Sequence, residues 1–376
     1  MKVRRLFALL GGLLLAVAAL ELGLRFALPE YRFTDKNSER YWLLRLEEKA
    51  AEGNAMERGG MRYDAVLGWR PLAGLARSDY STNSRGLRGK AEHSYRRASE
   101  RRRLLFVGDS FTFGYGVLDG EVFGEVFARG HPQVEVINLS ANGYGNDQQM
   151  LYYREEGARY QADVVVLVSF IPDFHRNVLS VRDFPKPRLR VEGGSLRGGG
   201  EPVASVADTL ESWRANHGPG LRVWELIEAA RKKWLPVPEE ITSGERATLV
   251  QAILEAWHRD VLRGGGRPVL VLVPHMLGRA WPGHGKMEAC YERAAASLGI
   301  PCLNLTAEFH PETAGKGDEP TYDLQNYHWT ARGHEVAAEK IAAFLAAEGL
   351  LGPTGGQGAS LEQGLQQVIE AEGGGD

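Results

Sequence analysis

Cysteine is scarce in this chain: two residues, Cys290 and Cys302, among 376. No Cys-x-x-Cys pair and no Cys/His ligand spacing occurs, so neither a structural zinc site nor a dithiol redox motif is supported. The one pairing the count allows, Cys290 with Cys302 in an oxidising compartment, stays open. A large charge of either sign is also missing, since 45 Lys and Arg stand against 48 Asp and Glu for a formal −3. With no basic cluster interleaved with aromatics, the electrostatic footprint of a nucleic-acid binder is absent. Internal repeats are not evident. The remainder is ordinary: 43% hydrophobic and 25% charged residues describe a globular chain able to bury a substantial core.

The longest apolar run lies at the N-terminus. Lys2, Arg4 and Arg5 precede a nearly uninterrupted run from Leu6 to Leu20, the order that retains the N-terminus in the cytoplasm and sends the following chain across a membrane. Continuing to Phe26 brings the run to the roughly twenty residues that a span needs. Glu21 and Arg25 then stand near enough to its end to snorkel. Residues 1–26 therefore read as a signal anchor, although Ala16-Val17-Ala18 also fits the cleavage site of a signal peptide. Either reading sends the bulk of the chain to the cell envelope: anchored in the inner membrane and facing the periplasm or exterior, or secreted after cleavage.

Beyond this segment, residues 27–102 read as an irregular N-terminal extension, and a folded domain is expected over 103–351. Five segments rich in aliphatic and β-branched residues punctuate it: "RLLFVG", "VEVINL", "DVVVLVSF", "RPVLVLVP" and "PCLNL". Several are continuous apolar runs, as strands buried on both faces of a parallel sheet are. Helical patterns separate them, among them "TLVQAILEAWHRDVLRGG" and "KMEACYERAAASLG". The alternation predicts a three-layer α/β/α sandwich with a five-stranded parallel sheet of flavodoxin-like order. Residues 183–245 exceed what a crossover needs and read as an insertion near the C-terminal edge of the sheet. The Gly/Gln/Glu-rich stretch 352–376 reads as a low-complexity tail.

"FVGDSFTFGYG" places Ser110 directly after the first strand, at a turn where Gly108 permits tight geometry and Asp109 can bond neighbouring amides. Gly-Asp-Ser alone serves equally as turn punctuation. A nucleophile needs a base, and the best one lies in "YDLQNYHWTARGHEVAAEKIAAFL". Thr330 can cap a helix from about Ala331 to Glu348. His334 falls on that helix's apolar stripe and reads as core, whereas His328, in the loop before the cap, can face the sheet edge and Ser110.

With both stretches in view, the chain resembles the SGNH, or GDSL, hydrolases, whose signatures are Gly-Asp-Ser after the first strand, a glycine after the second, Asn-Asp after the third and Asp-x-x-His before the last helix. The likeness spans roughly Arg103 to Leu345. Upstream, "DAVLGWRPLAG" and "YSTNSRGLRG" look like the segment preceding the catalytic domain in membrane-anchored bacterial members. The resemblance implies an acyl-serine mechanism with Ser110 as nucleophile, His328 as base, and the amides of Ser110 and Gly143 as oxyanion donors, without metal or cofactor. Two positions depart from the pattern. In "SFIPDFHRN", Pro172 replaces the oxyanion asparagine, leaving Asn142 or Asn146 to lend a carboxamide. Gln325 replaces the acid, leaving Asp323 or a backbone carbonyl to orient His328. The resemblance further implies an ester hydrolase acting on O-acylated envelope or extracellular carbohydrate, or on a small acyl ester. The alternatives are an O-acyltransferase modifying a polysaccharide and a catalytically silent polysaccharide-binding protein on the same fold.

Overall fold

A computed structural model describes residues 2–27, 36–97, 101–216, 222–234, 243–309 and 320–351. The sheet strands, numbered here in chain order, are β1 (Arg102–Gly108), β2 (Val134–Ser140), β3 (Val164–Phe170), β4 (Arg267–Val273) and β5 (Cys302–Asn304). All pair in parallel in the order β5-β4-β3-β1-β2, the flavodoxin-like arrangement expected from the alternation of strand and helix. The apolar runs are continuous because both faces are covered. Leu105, Val107, Val165, Leu167, Leu270 and Leu272 enter one core; Leu104, Phe106, Val164, Val166, Val269 and Val271 enter the other.

The longer helices used below are α1 (Lys2–Ala27), α2 (Glu39–Ala51), α3 (Phe123–Gly130), α4 (Asn146–Glu155), α5 (Ser243–Arg263), α6 (His284–Leu298) and α7 (Ala331–Ala347). Met150, Ile253, Trp257 and Tyr291 bring α4, α5 and α6 onto the first face. Phe123, Phe127, Ile341 and Leu345 bring α3 and α7 onto the second. Thr330 caps α7 by accepting the Gly333 amide at 3.2 Å, and His334 on its first turn is buried. The His334 Nδ1 accepts the Phe123 amide at 3.3 Å, and burial depresses its imidazole to about 3. This histidine is a core residue, as its place on the apolar stripe predicts.

The extension preceding β1 is more ordered than its polar composition suggests. It contains α2 and an antiparallel hairpin of Met61–Asp64 with Gly68–Pro71. Leu46, Met61, Leu67, Trp69 and Leu87 join the first core, so this segment covers one end of the sandwich. Arg88 fastens it to the turn after β1. It is buried, its Nε donates to Asp119 Oδ1 at 2.8 Å, and its other nitrogens donate to the carbonyls of Phe113, Gly114 and Val117 at 2.8–3.0 Å.

At the start of the insertion Val181–Arg182 pairs with Phe184–Pro185, within it Arg190–Glu192 pairs with Ser195–Arg197, and helices follow at Val206–Asn216 and Arg222–Trp234. In α1, Phe7–Ala27 is long and apolar enough to cross a membrane and is not buried against the rest of the chain. Cys290 and Cys302 are free thiols. The low-complexity tail lies outside the described residues.

Arg88→Ala leaves an acidic partner and three carbonyls without their donor. We expect a loss of about 3 kcal/mol or more, read as a lower urea midpoint at unchanged slope in the detergent-solubilised chain.

Candidate active site

The turn after β1 exists because Gly108 has no side chain. A Cβ there would sit 1.9 Å from Thr112 Oγ1 and 3.0 Å from the Val168 carbonyl oxygen. The chain therefore bends sharply into a single helical turn, Ser110–Phe113, capped by Asp109, whose Oδ1 accepts the Phe111 amide at 3.0 Å. Ser110 is the first residue of that turn, so its amide has no acceptor within the turn. Its side chain stands at the C-terminal edge of the sheet beside the switch point between β1 and β3, where open α/β sheets bind ligands.

His328 arrives from the loop ahead of α7, and its Nε2 lies 2.8 Å from Ser110 Oγ. The imidazole sits between two rings, with centroids 4.9 Å from Phe111 and 4.8 Å from Tyr115. Its Nδ1 is 2.7 Å from the Asn326 carbonyl oxygen. A carbonyl only accepts, so Nδ1 carries the proton and Nε2 presents its lone pair to the serine hydroxyl. This is the tautomer of a general base. Burial lowers the His328 pKa, with the buried Asp109 carboxylate and the Asn326 carbonyl opposing it and Arg176 and Arg182 adding to it.

The loop explains why no acidic side chain is needed at Nδ1. Asp323 does not contact the imidazole: its Oδ1 accepts the Gln325 amide and its Oδ2 accepts Asn326 Nδ2, both at 2.7 Å. The orienting role foreseen for Asp323 therefore passes to the Asn326 carbonyl, with Asp323 shaping the loop that aims it. Asn326 Oδ1 in turn accepts the His328 amide at 2.9 Å. Tyr327, between them, takes a left-handed φ of +62°, a conformation costly for a bulky residue and sustained by these bonds.

Gly143 lines the same cavity as Ser110 and His328, a cleft of about 590 Å³. Its φ of +84° and the 2.8 Å that would separate its Cβ from Asp183 Oδ2 both demand glycine. Among the described residues, the Ser110 and Gly143 amides donate no loop or turn hydrogen bond, which leaves both available to an oxyanion. Asn142 also lines the cleft, and its buried Oδ1 has no partner among the described residues. That oxygen can only accept, so any contribution of Asn142 to an oxyanion comes from Nδ2. The Asn142 carbonyl accepts Trp69 Nε1 at 3.1 Å, so the hairpin of the N-terminal extension holds this segment in place.

Asn146 lies elsewhere. It is fully buried, donates to Gln149 Oε1 and Ser169 Oγ, and accepts from Asn177 Nδ2 and the Tyr291 hydroxyl. It belongs to a polar network inside the core and not to the cleft, which corrects its expected place as an oxyanion donor. Pro172 begins the short helix Asp173–Arg176. One turn on, Arg176 enters the cleft wall, where its Nη1 donates to Asp109 Oδ2 at 2.9 Å, Asp173 Oδ1 at 2.7 Å and the Tyr144 carbonyl at 3.2 Å. Burial holds the Asp173 carboxyl well above the usual carboxylate range even beside this guanidinium. Sequence reasoning did not find Arg176, since no motif marks it; its spacing of three from Asp173 on a helical turn was the available signal.

No family model matches the chain, and no curated protein matches it. Solved structures similar to it include TesA, at 12% identity over 65% of this chain and 99% of that one with a TM-score of 0.40. A lipolytic protein of the G-D-S-L family from Desulfitobacterium hafniense aligns at 11% identity over 65% and 99% with a TM-score of 0.39. A lipase/acylhydrolase from Enterococcus faecalis aligns at 12% identity over 66% and 96% with a TM-score of 0.40. At scores this low the likenesses add no weight to what the chain itself displays. Its parallel strand order is that of a flavodoxin-like α/β/α sandwich, with Ser110 after the first strand in hydrogen-bond contact with His328 before the last helix.

Two outcomes follow. Because His328 has a lowered pKa, it is neutral above that value and loses its lone pair below it. The acid limb of kcat/KM should therefore have its midpoint under the 6.5 of an ordinary imidazole, measurable as a pH–rate profile of the free enzyme. Asp323→Asn removes no direct contact to the ring. It should cost about tenfold or less in kcat/KM, the worth of one weakened hydrogen bond, compared with the roughly 10⁴-fold loss when a triad acid is replaced by its amide.

Proposed function

We propose that this chain is a serine ester hydrolase of the SGNH type, held at the membrane by α1 and acting on O-acyl esters of envelope or extracellular carbohydrate. The observation that carries the reading is the 2.8 Å contact between Ser110 Oγ and His328 Nε2, with Nδ1 anchored on a main-chain carbonyl. His328 takes the hydroxyl proton as Oγ attacks the ester carbonyl carbon. The resulting oxyanion receives the Ser110 and Gly143 amides, with the Asn142 carboxamide alongside. His328 then gives its proton to the departing alcohol oxygen as the carbon–oxygen bond breaks, leaving acyl-Ser110. A water molecule repeats the sequence in reverse, releasing the carboxylic acid and restoring the hydroxyl.

Two features temper the expected rate without altering the reaction class. A carbonyl at Nδ1 fixes the tautomer as a carboxylate would, yet supplies no full negative charge to the imidazolium. The buried Asp109 carboxylate, whose field favours protonated His328, supports that part of the role from a different direction. With Pro172 offering no donor, the absence of one oxyanion hydrogen bond costs about 2.7–4 kcal/mol of transition-state stabilisation unless Asn142 replaces it.

The test is turnover of 4-nitrophenyl acetate by the detergent-solubilised full chain, beside Ser110→Ala and His328→Ala. Each substitution should lower kcat by about three orders of magnitude or more. Unchanged turnover in either variant removes that residue from the mechanism and leaves a silent polysaccharide-binding role on the same fold. Following acyl-sugar formation after adding a sugar acceptor separates transfer from hydrolysis.

A further inference from the structure

Part of the cleft wall is built by segments outside the strand–helix framework. Lys49 comes from α2 and Arg182 with Asp183 from the Val181–Pro185 hairpin that opens the insertion, and all three line the cleft that holds Ser110, His328 and Gly143. Lys49 Nζ lies 2.6 Å from Asp183 Oδ1, and Arg182 Nη1 pairs with Asp183 Oδ2. Two cations thus share one carboxylate, and because the cleft's Glu52 is ion-paired with Arg58 at 3.3 Å, the cluster keeps a local excess of one positive charge.

The cluster abuts the oxyanion side of the site. A Cβ on Gly143 would stand 2.8 Å from Asp183 Oδ2 and 3.5 Å from Arg182 Nη1. Arg182 is held flat against Trp42, 4.3 Å from the ring centroid, and its buried Nε has no hydrogen-bond partner among the described residues. Asp183 itself adopts a left-handed φ of +58°, a backbone strain of the kind found where side-chain placement serves a site. Burial and like-charge repulsion act on both cations. Burial, then Arg176, depress Arg182 to about 9, and burial, then Arg182 and Arg45, depress Lys49 to about 8. An incoming anion relieves that repulsion, and the guanidinium of Arg182, which lines the cleft with its side chain 19% exposed, offers it a planar donor fork.

We propose that Arg182 and Lys49 form an anion-reading subsite beside Ser110, so that the preferred substrate is an acylated sugar carrying a fixed negative charge, as a sugar-acid carboxylate or a sugar phosphate. The proposal rests on the ester-hydrolase reading and narrows it to anionic esters. Asp183 acts as the internal counter-ion that holds the two cations in place and competes with the substrate anion for them.

The experiment compares kcat/KM of the full chain on three matched probes: methyl O-acetyl-galacturonoside, the same compound with its carboxyl group methylated, and methyl O-acetyl-galactoside 6-phosphate. A charge-assisted contact predicts at least about a tenfold preference for a charged probe over the neutral one, and the faster charged probe identifies carboxylate or phosphate as the anion read. Arg182→Gln should bring the charged-to-neutral ratio toward one, chiefly through KM, whereas Asp183→Asn should raise it. A second measurement needs no variant: unacetylated methyl galacturonoside or inorganic phosphate should inhibit 4-nitrophenyl acetate turnover competitively, less so as salt rises. Equal kcat/KM on charged and neutral probes, with no inhibition by either anion, overturns the subsite. If no ester is turned over at all, the hydrolase reading falls separately. Calorimetric titration with methyl galacturonoside and phosphate then decides the subsite, binding of either anion that weakens in Arg182→Gln supporting it and no heat of binding overturning it.

Discussion

A hydrogen bond between residues 218 positions apart, from Ser110 to His328, is what the architecture of this chain makes achievable. Parallel pairing is its precondition. Because every strand of the sheet runs the same way, the segments that follow β1, β2 and β3 emerge at one edge, and the loop before α7 reaches that edge when α7 packs with α3 on one face. The packing is fixed by Phe123, Ile341 and Leu345 in a shared core, and by the Thr330 cap that sets where α7 begins. A shift of α7 by one residue would rotate its apolar stripe by about 100° and carry the imidazole away from the serine. Core packing on a distant helix thus sets the Ser110–His328 geometry.

The frame and the central pair were legible because each has a local signature. Continuous aliphatic runs announced a doubly covered parallel sheet, Gly-Asp-Ser marked a strand-to-helix turn, and a capping threonine two residues after His328 placed that histidine in a loop. The support around the pair was illegible for a physical reason. Nothing in residue identity reveals where a main-chain carbonyl points, so the partner of Nδ1 stayed open between Asp323 and a backbone carbonyl that no residue could name. Asn146 was misplaced for a similar reason: a polar residue near a signature glycine reads as a site residue, and only the burial of Tyr291 and Ser169 around it turns it into core. Asp109 looked like turn punctuation, yet its second oxygen meets Arg176 from another crossover.

The polar extension before β1 also concealed its role. Its few apolar residues are widely spaced, so no periodicity declares them, but Trp69, Leu67 and Leu87 are nearly inaccessible and Trp69 braces the segment carrying Gly143. The extension and the insertion meet at Lys49 and Asp183. Ser110 and His328 are supplied by the sandwich, while part of the remaining cleft wall comes from these two additions, a division that lets the central pair stay fixed as the wall varies.

Orientation of His328 by the Asn326 carbonyl has a consequence for how the site presents itself. A carbonyl belongs to every residue type, so no side-chain replacement at position 326 deletes the oxygen that Nδ1 addresses. On the proposed mechanism, scanning mutagenesis of this chain would return Ser110 and His328 and no third side chain, because the third participant is an atom of the backbone. Only a change to the loop's path, or to the chemistry of that peptide unit, would unmask it.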